Sequence, residues 1–293
     1  MEQLIKSIPL TKKPTPIDFI DLIGQAELGA SREILHTHLQ SPSHRSGMQT
    51  CFLIQPNVKA EYFLSRDRSG DHPILYAKLD ESARLFNIYR HKPGDFNFRE
   101  ELPDFKLSFS QTHDRWSASV FHNSFVCDKC TYTRRDRSYS IGSLSSSSSM
   151  SHKTSANLLE VSQGVENLHT GQHWFHMSVN GRSVEFGEDL VECPECTENF
   201  NSRQINASSN PGLEVHSIQP AVKNGELKVK FITNNREILP SARNVQCASS
   251  RHNEDIVFQL VRVGESGVFN LDYKFPLSLL QAFFIALTTH YWN

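Results

Sequence analysis

No stretch of this chain is apolar for the length a bilayer demands. The greasiest run, Pro276 to Leu287 (PLSLLQAFFIAL), spans twelve positions, whereas a transmembrane helix needs roughly twenty apolar residues. An excess of one charge is missing too. Thirty Lys and Arg stand against 32 Asp and Glu, a formal net charge of -2, so the chain as a whole has neither a nucleic-acid binder's basic field nor a solvating tail's acidity. Any basic site has to be local. The opening residues MEQLIKSIPLTKK lack the apolar core and small-residue cleavage site of a secretory signal, which predicts a reducing compartment. Cysteine is sparse at six residues, and in that compartment paired cysteines more often mean metal than disulfide. Nucleotide loops, G-x-S-x-G, paired metal carboxylates and catalytic Cys–His arrangements are absent. The expectation is a protein that is not an enzyme.

At 293 residues the chain has room for one large β domain or two average ones. Residues 15–46 show helical spacing at Ile17, Ile20, Leu22 and Ile23, and again at Leu28, Ile34, Leu35 and Leu39, predicting short helices that end at Ser41-Pro42. The texture then changes to short β-type runs: MQTCFLIQ, EYFLSR, PILYAKL, RLFNIYR, DFKLSFS and RWSASVF, and later HWFHMSV, RSVEF, LEVHSIQ, ELKVKFI, RNVQCA, DIVFQLVR and GVFNLDY. Ser69-Gly70-Asp71 and Pro93-Gly94-Asp95 mark turns between them, and Asn180-Gly181 is the sharpest hairpin signal. Residues 138–160 are Ser-rich and low in complexity, the composition of a flexible insertion. A second loose loop follows at 201–212.

The C-terminal run poses a packing problem. Leu277, Leu279, Leu280, Ala282, Phe283, Phe284, Ile285, Ala286 and Leu287 cover every direction of a helical turn, with only Ser278 and Gln281 polar, and Pro276 suits the first turn. A helix apolar all round belongs inside something. An open sandwich covers one side of it, whereas a closed antiparallel barrel wraps it completely. The predicted fold is therefore mainly β: a closed barrel of about twelve strands around a central hydrophobic C-terminal helix. Residues 1–46 form an N-terminal helical segment and 47–293 the barrel, with a zinc-knuckle and Ser-rich insertion at about 127–212.

Ser241, Asn244 and Gln246, then Val257, Gln259, Leu260, Val263 and Gly264, then Asp272, Tyr273, Pro276, Leu277, Gln281, Ala282, Phe283, Ile285, Ala286 and Leu287 follow a pattern that resembles the C-terminal part of the tubby and tubby-like family. Arg66 to Lys92 (RDRSGDHPILYAKLDESARLFNIYRHK) resembles more faintly that family's strand–turn–strand entry into its basic lipid site. The resemblance implies a twelve-stranded barrel around a central helix, an adaptor role, phosphoinositide membrane surfaces and protein cargo or signalling partners. It also implies a cytoplasmic, ciliary or nuclear setting. The family's extended Lys/Arg run is reduced here to Arg90, His91 and Lys92, and Thr288 to Asn293 replaces its usual charged, Cys-containing end.

Two CxxC pairs depart from the family: Cys127 with Cys130, and Cys193 with Cys196. Together they can supply four thiolates to one structural zinc, leaving no open position for catalysis. Sixty-two residues separate Cys130 from Cys193, and loop-closure entropy grows slowly enough to allow that. The alternative is four reduced thiols on separate hairpins. His169, His173 and His176 have ligand-like spacing, but in a strand His176 shares a face with Trp174, away from Phe175 and Met177, which favours a solvated or hydrogen-bonded role. His36 and His38 have no acidic partner at hydrolase spacing. Arg90 and Lys92 emerge on one side of a strand and suit a phosphoinositide headgroup, unless they are a solvated strand end. Arg134, Arg135 and Arg137 lie beside the first cysteine pair and place Ser138 and Ser140 in basophilic-kinase patterns; phosphate there would oppose the local positive charge. Two functions follow: a zinc-stabilised tubby-like adaptor at phosphoinositide membranes, or a zinc-stabilised scaffold binding protein or nucleic acid through those arginines without lipid. Nucleic acid is the less expected partner.

Overall fold

The computed structural model of the chain describes residues 41–43, 45–56, 61–70, 73–89, 103, 105–120, 157–167, 173–181, 212–223, 226–250, 255–264 and 267–292. Its strands are β1 (Gln49–Ile54), β2 (Glu61–Ser65), β3 (Pro73–Asp80), β4 (Leu85–Tyr89), β5 (Phe105–Phe109), β6 (Arg115–Val120) and β7 (Asn157–Asn167). They continue with β8 (His173–Gly181), β9 (Leu213–Ser217), β10 (Ala221–Lys223), β11 (Glu226–Lys228), β12 (Val245–Ser249), β13 (Asp255–Arg262) and β14 (Val268–Tyr273). Twelve of them close into a barrel, in the order β1-β14-β13-β12-β9-β8-β7-β6-β5-β4-β3-β2. The seam is β1, paired with β14 from Gln49↔Tyr273 to Ile54↔Val268 and with β2 from Phe52↔Ser65 to Ile54↔Phe63. Every ring pairing is antiparallel. Closure removes the two edges an open sheet would expose.

Alternation aims the side chains. In β5, Phe105, Leu107 and Phe109 are buried while Lys106 and Ser108 are not, and in β9 Leu213, Val215 and Ser217 alternate with Glu214 and His216. Strands β12 and β14 are buried throughout. Their inner face meets the core, and their sector of the outer wall is crossed by residues 231–240, which Leu239 ties on through a bridge to Arg262.

Helix α1 (Leu279–Thr288) fills the centre, and all ten of its residues are buried. The enclosure expected from its all-round apolarity is what the chain builds. Phe105 meets Phe284 edge-on, ring centroids 6.1 Å apart. The helix begins later than the sequence suggests. Pro276, expected in the first turn, precedes the cap, because Ser278 and Gln281 close a capping box. Gln281 N donates to Ser278 Oγ (3.2 Å) and Ser278 N to Gln281 Oε1 (3.0 Å), so the two polar residues of the run satisfy backbone groups that the dry interior would otherwise strand.

Four sequence expectations are corrected. ELKVKFI contributes only β11, which pairs with β10 in a separate two-stranded sheet outside the ring. Asn180-Gly181 is no hairpin turn: Asn180 faces Glu160 on one side and Glu214 on the other, and two ladders outweigh a local turn preference. Gly181 serves a close approach instead, since a Cβ there would stand 3.0 Å from the Leu158 carbonyl oxygen. Residues 157–160, assigned to the Ser-rich segment, open β7, where Leu158, Leu159 and Val161 are buried. With β7 and β8 in the ring, 127–212 is not one continuous insertion. RSVEF and most of the N-terminal helical segment lie outside the described residues.

Truncating the axle tests its enclosure. Phe284→Ala should cost about 3–5 kcal/mol in urea unfolding, the range for a large side chain removed from a packed core; a loss below about 1 kcal/mol, typical of a surface site, would contradict it.

Candidate functional site

The polar residues of the C-terminal pattern sit on the outer side of the wall, at one register. Gln246 faces Gln259, Gln259 faces Asp272, and Asp272 faces Thr50, across β12, β13, β14 and β1. Gln246 Nε2 donates to Gln259 Oε1 (2.7 Å), Gln259 Nε2 to Asp272 Oδ2 (3.0 Å) and Thr50 Oγ1 to Asp272 Oδ1 (2.7 Å). The crossing segment completes the row. Ile232 exchanges both backbone groups with the Gln259 amide (2.8 and 3.0 Å). Arg236 grips Asp272 with both terminal nitrogens, Nη1 to Oδ1 at 3.1 Å and Nη2 to Oδ2.

Asp272 is 1% exposed and accepts four hydrogen bonds, which uses all its lone-pair positions. A buried carboxylate is the first place to look for acid–base chemistry or a metal. This one is saturated, and a buried ion pair of this geometry secures register and docking. Asn244 works alike: its Nδ2 donates to the Leu239 carbonyl (2.8 Å) and its Oδ1 accepts from Arg262 N (2.8 Å). Ser241 Oγ accepts from Arg243 N at 3.2 Å.

A second polar group lies where α1 ends. Arg243 is 6% exposed. Its Nε donates to Thr289 Oγ1 (3.1 Å) and its Nη1 to Gln55 Oε1 (2.8 Å), while Cζ stands 4.5 Å from the Phe269 ring centroid and 5.4 Å from that of Tyr62. A cation at a helix C-terminus complements the dipole, and aromatic faces add to its stabilisation. The Tyr62 hydroxyl is bonded to His290 Nδ1. Burial, then the Arg243 charge, then His113 push the His290 pKa down from 6.5 to about 4. Gln163 pins the end of the described chain: its Nε2 donates to the Thr288 carbonyl (3.1 Å), and its Oε1 accepts from the indoles of Trp116 and Trp292 (3.2 Å each). His113 stacks on Tyr291 at 3.8 Å and Phe175 on Trp292 at 5.2 Å. Thr288 to Trp292 thus plug this mouth of the barrel.

The residues singled out for lipid, zinc and phosphate fall elsewhere. Arg90, Lys92, Cys127, Cys130, Cys193, Cys196, Arg134, Arg135, Arg137, Ser138 and Ser140 lie outside the described residues, as do His36, His38 and His169. His176 does share the outer face with Trp174, their rings 5.6 Å apart. Cys51 and Cys247 are buried free thiols; burial, and secondarily Asp272, pushes Cys51 up to about 12, and burial raises Cys247. Among the described residues, no group of three or more His, Cys, Asp or Glu is placed to hold a metal.

Thr50, Gln163, Arg236 and Arg243 escaped sequence reasoning. Arg236 meets a partner 36 residues away and Arg243 one 46 residues away, and nothing local in NNREILPSARN announces either. The Ser278–Gln281 box did have a signal, the spacing S-L-L-Q.

Residues 230–290 match the model of the Tub family. A closed twelve-stranded barrel is the fold expected of a tubby domain. The matched stretch runs from the crossing segment through β12, β13 and β14 to the central helix, so the resemblance rests on the residues that clasp and fill the barrel. The tubby family is one of non-enzymatic binding domains. None of the curated proteins compared with the chain matches it. Among the described residues, no helix is long and apolar enough to cross a membrane.

The depressed His290 pKa makes a prediction. The unfolded chain takes up the proton first as pH falls, so the stabilisation is complete above about pH 6.5 and declines toward pH 4. His290→Gln keeps an acceptor for Tyr62 and should flatten that part of the melting-temperature profile. An unchanged slope in the variant would show that the plug does not hold His290 neutral.

Proposed function

We propose that this chain is a binding module of tubby-like type, an intracellular adaptor rather than an enzyme, which touches phosphoinositide membranes through Arg90 and Lys92 and carries a protein partner. The observation that carries the reading is the Tub match over 230–290 on a closed barrel whose buried carboxylate, Asp272, is fully committed to structure. Chain direction lends further support. Neighbours in the ring alternate in direction, so β4, β6 and β8 all end at one rim. Arg90 follows the last residue of β4 directly. A headgroup with several phosphates is held best by such paired cations, through charge-assisted hydrogen bonds.

The same direction argument favours a four-thiolate zinc site. The cysteine pairs belong to the connections that leave β6 and β8, and only β7 stands between those strands. Their exits are two strand spacings apart, roughly 10 Å, a gap two CxxC knuckles can close around one tetrahedral ion. Arg134, Arg135 and Arg137 belong to the first of these connections, and phosphorylation of Ser138 and Ser140 there would weaken an anionic contact at the rim. The second reading, a zinc-stabilised scaffold for protein or nucleic acid without lipid, differs only in what the rim contacts.

Liposome flotation separates the two. Vesicles with phosphoinositide should carry the protein, and the double variant Arg90→Ala, Lys92→Ala should lose about tenfold or more in affinity. Flotation indifferent to phosphoinositide and to both substitutions would leave the scaffold. Elemental analysis should find one zinc per chain, lost on Cys193→Ser; a folded, metal-free preparation would end the zinc proposal.

A further inference from the structure

Strands β8 and β9 part at the rim opposite to the one where β4, β6 and β8 end. Their ladder runs from Gly181↔Leu213 to Ser178↔His216 and stops. Beyond it β9 leans toward β12, with Ser217 facing Cys247 and Ile218 N donating to the Gln246 carbonyl at 2.8 Å. β8 keeps to β7 as far back as His173. A cleft of about 530 Å³ opens between them, lined by Glu166, Trp174, His216, Ser217, Gln219 and Ala248.

Two features of this cleft point to one occupant. The first is an unused strand edge. The Met177 amide points into the gap, where Ser217 Oγ accepts it at 3.0 Å. Backbone groups two residues apart in a strand point the same way, so the N–H and C=O of Phe175 also face the gap. Among the described residues no strand pairs with them on that side. The second is an aromatic and acidic wall. Trp174 and Glu166 are register partners, with the indole N–H donating to Glu166 Oε2 at 3.0 Å. That bond holds the indole beside a carboxylate that lines the cleft and is exposed. Next to Trp174, His176 lies across Gly164, where a Cβ would stand 2.5 Å from the imidazole Nε2. Neither β7, β8 nor β9 contains a lysine or arginine, while Glu160, Glu166 and Glu214 are exposed on them.

We infer that this cleft takes an extended peptide segment of a partner protein, its backbone bonded to Phe175 and one lysine or arginine side chain laid across Trp174 against Glu166. Strand addition supplies affinity through main-chain hydrogen bonds, and the side-chain pocket supplies selectivity. A cation that meets an indole face and a carboxylate together gains from both. The inference deepens the binding-module reading by naming the protein partner's chemistry, and it stands apart from the lipid rim.

The full chain is titrated with a capped pentapeptide of threonine and valine around a central lysine, against the same peptide with central glutamate, and read by tryptophan fluorescence. Trp116 and Trp292 are 2% and 4% exposed, so Trp174 is the indole that a peptide can touch directly, and Trp174→Phe should remove most of the fluorescence change. The lysine peptide should bind about tenfold more tightly than the glutamate one, and Glu166→Gln should remove most of that preference. A lysine peptide N-methylated on its central amides keeps the charge but cannot pair with an edge, and should lose about tenfold. Absence of saturable binding at millimolar peptide, equal affinity for the two charges, or indifference to N-methylation would each overturn the inference. Glu166→Gln lies at the surface, and an unchanged melting temperature certifies its fold. Flotation is run on the same preparation: lost peptide binding with intact flotation rejects this cleft alone, whereas loss of both rejects the module.

Discussion

The structure depends on hiding one helix. Ten consecutive residues, Leu279 to Thr288, are buried on every side, and no flat sheet can do that. A helix is roughly 10 Å across with its side chains, so its wall has to curve through a full circle, and twelve strands do so. The aromatic bulk of Phe283 and Phe284 then stabilises the barrel from within, each side chain by roughly 1.5–3 kcal/mol of burial. Wall and axle are mutually required: an empty ring would hold a void, and an exposed helix of this composition would aggregate.

The same requirement explains where polarity is permitted. Inside, polar atoms occur at the ends of the axle, where helix termini have backbone groups to satisfy: Ser278 with Gln281 at one end, Arg243 with Thr289 at the other. Outside, the row Gln246–Gln259–Asp272–Thr50 is roofed by the crossing segment, and Arg236 neutralises its charge. An unpaired carboxylate at that depth would cost several kcal/mol, so Arg236 and Asp272 only make sense together. The polar residues most easily mistaken for a reactive site are the ones the fold consumes.

The functional reading therefore moves to the two ends of the barrel. One rim receives the ends of β4, β6 and β8, the strands that Arg90, Lys92 and the cysteine pairs follow in sequence. The other is plugged by Thr288 to Trp292, and beside that plug β8 and β9 splay, leaving next to the Trp174–Glu166 pair an edge that no strand pairs with among the described residues. On the proposed reading, an anionic surface at one end and a basic extended segment at the other would not compete for space, as an adaptor requires.

Much of this is legible in the residues. All-round apolarity over Leu277 to Leu287, too short for a bilayer, forces an enclosed helix, and alternation such as that of Phe105 to Phe109 marks most of the wall. These are local patterns, set by the repeat of one element and the solvent on its faces. Local signals fail where they are overruled at a distance. Asn180-Gly181 has turn chemistry yet is held straight by neighbours on both sides, and Leu158 and Leu159 adjoin a Ser-rich segment yet are drawn into the wall by β6 and β8. Tertiary structure alone paired Arg236 with Asp272, seated Arg243 against Phe269, and opened the cleft between β8 and β9. The physical reason is common to all three: a charge or a strand edge is defined by what lies beside it in space, and chain closure brings that neighbour from dozens of residues away.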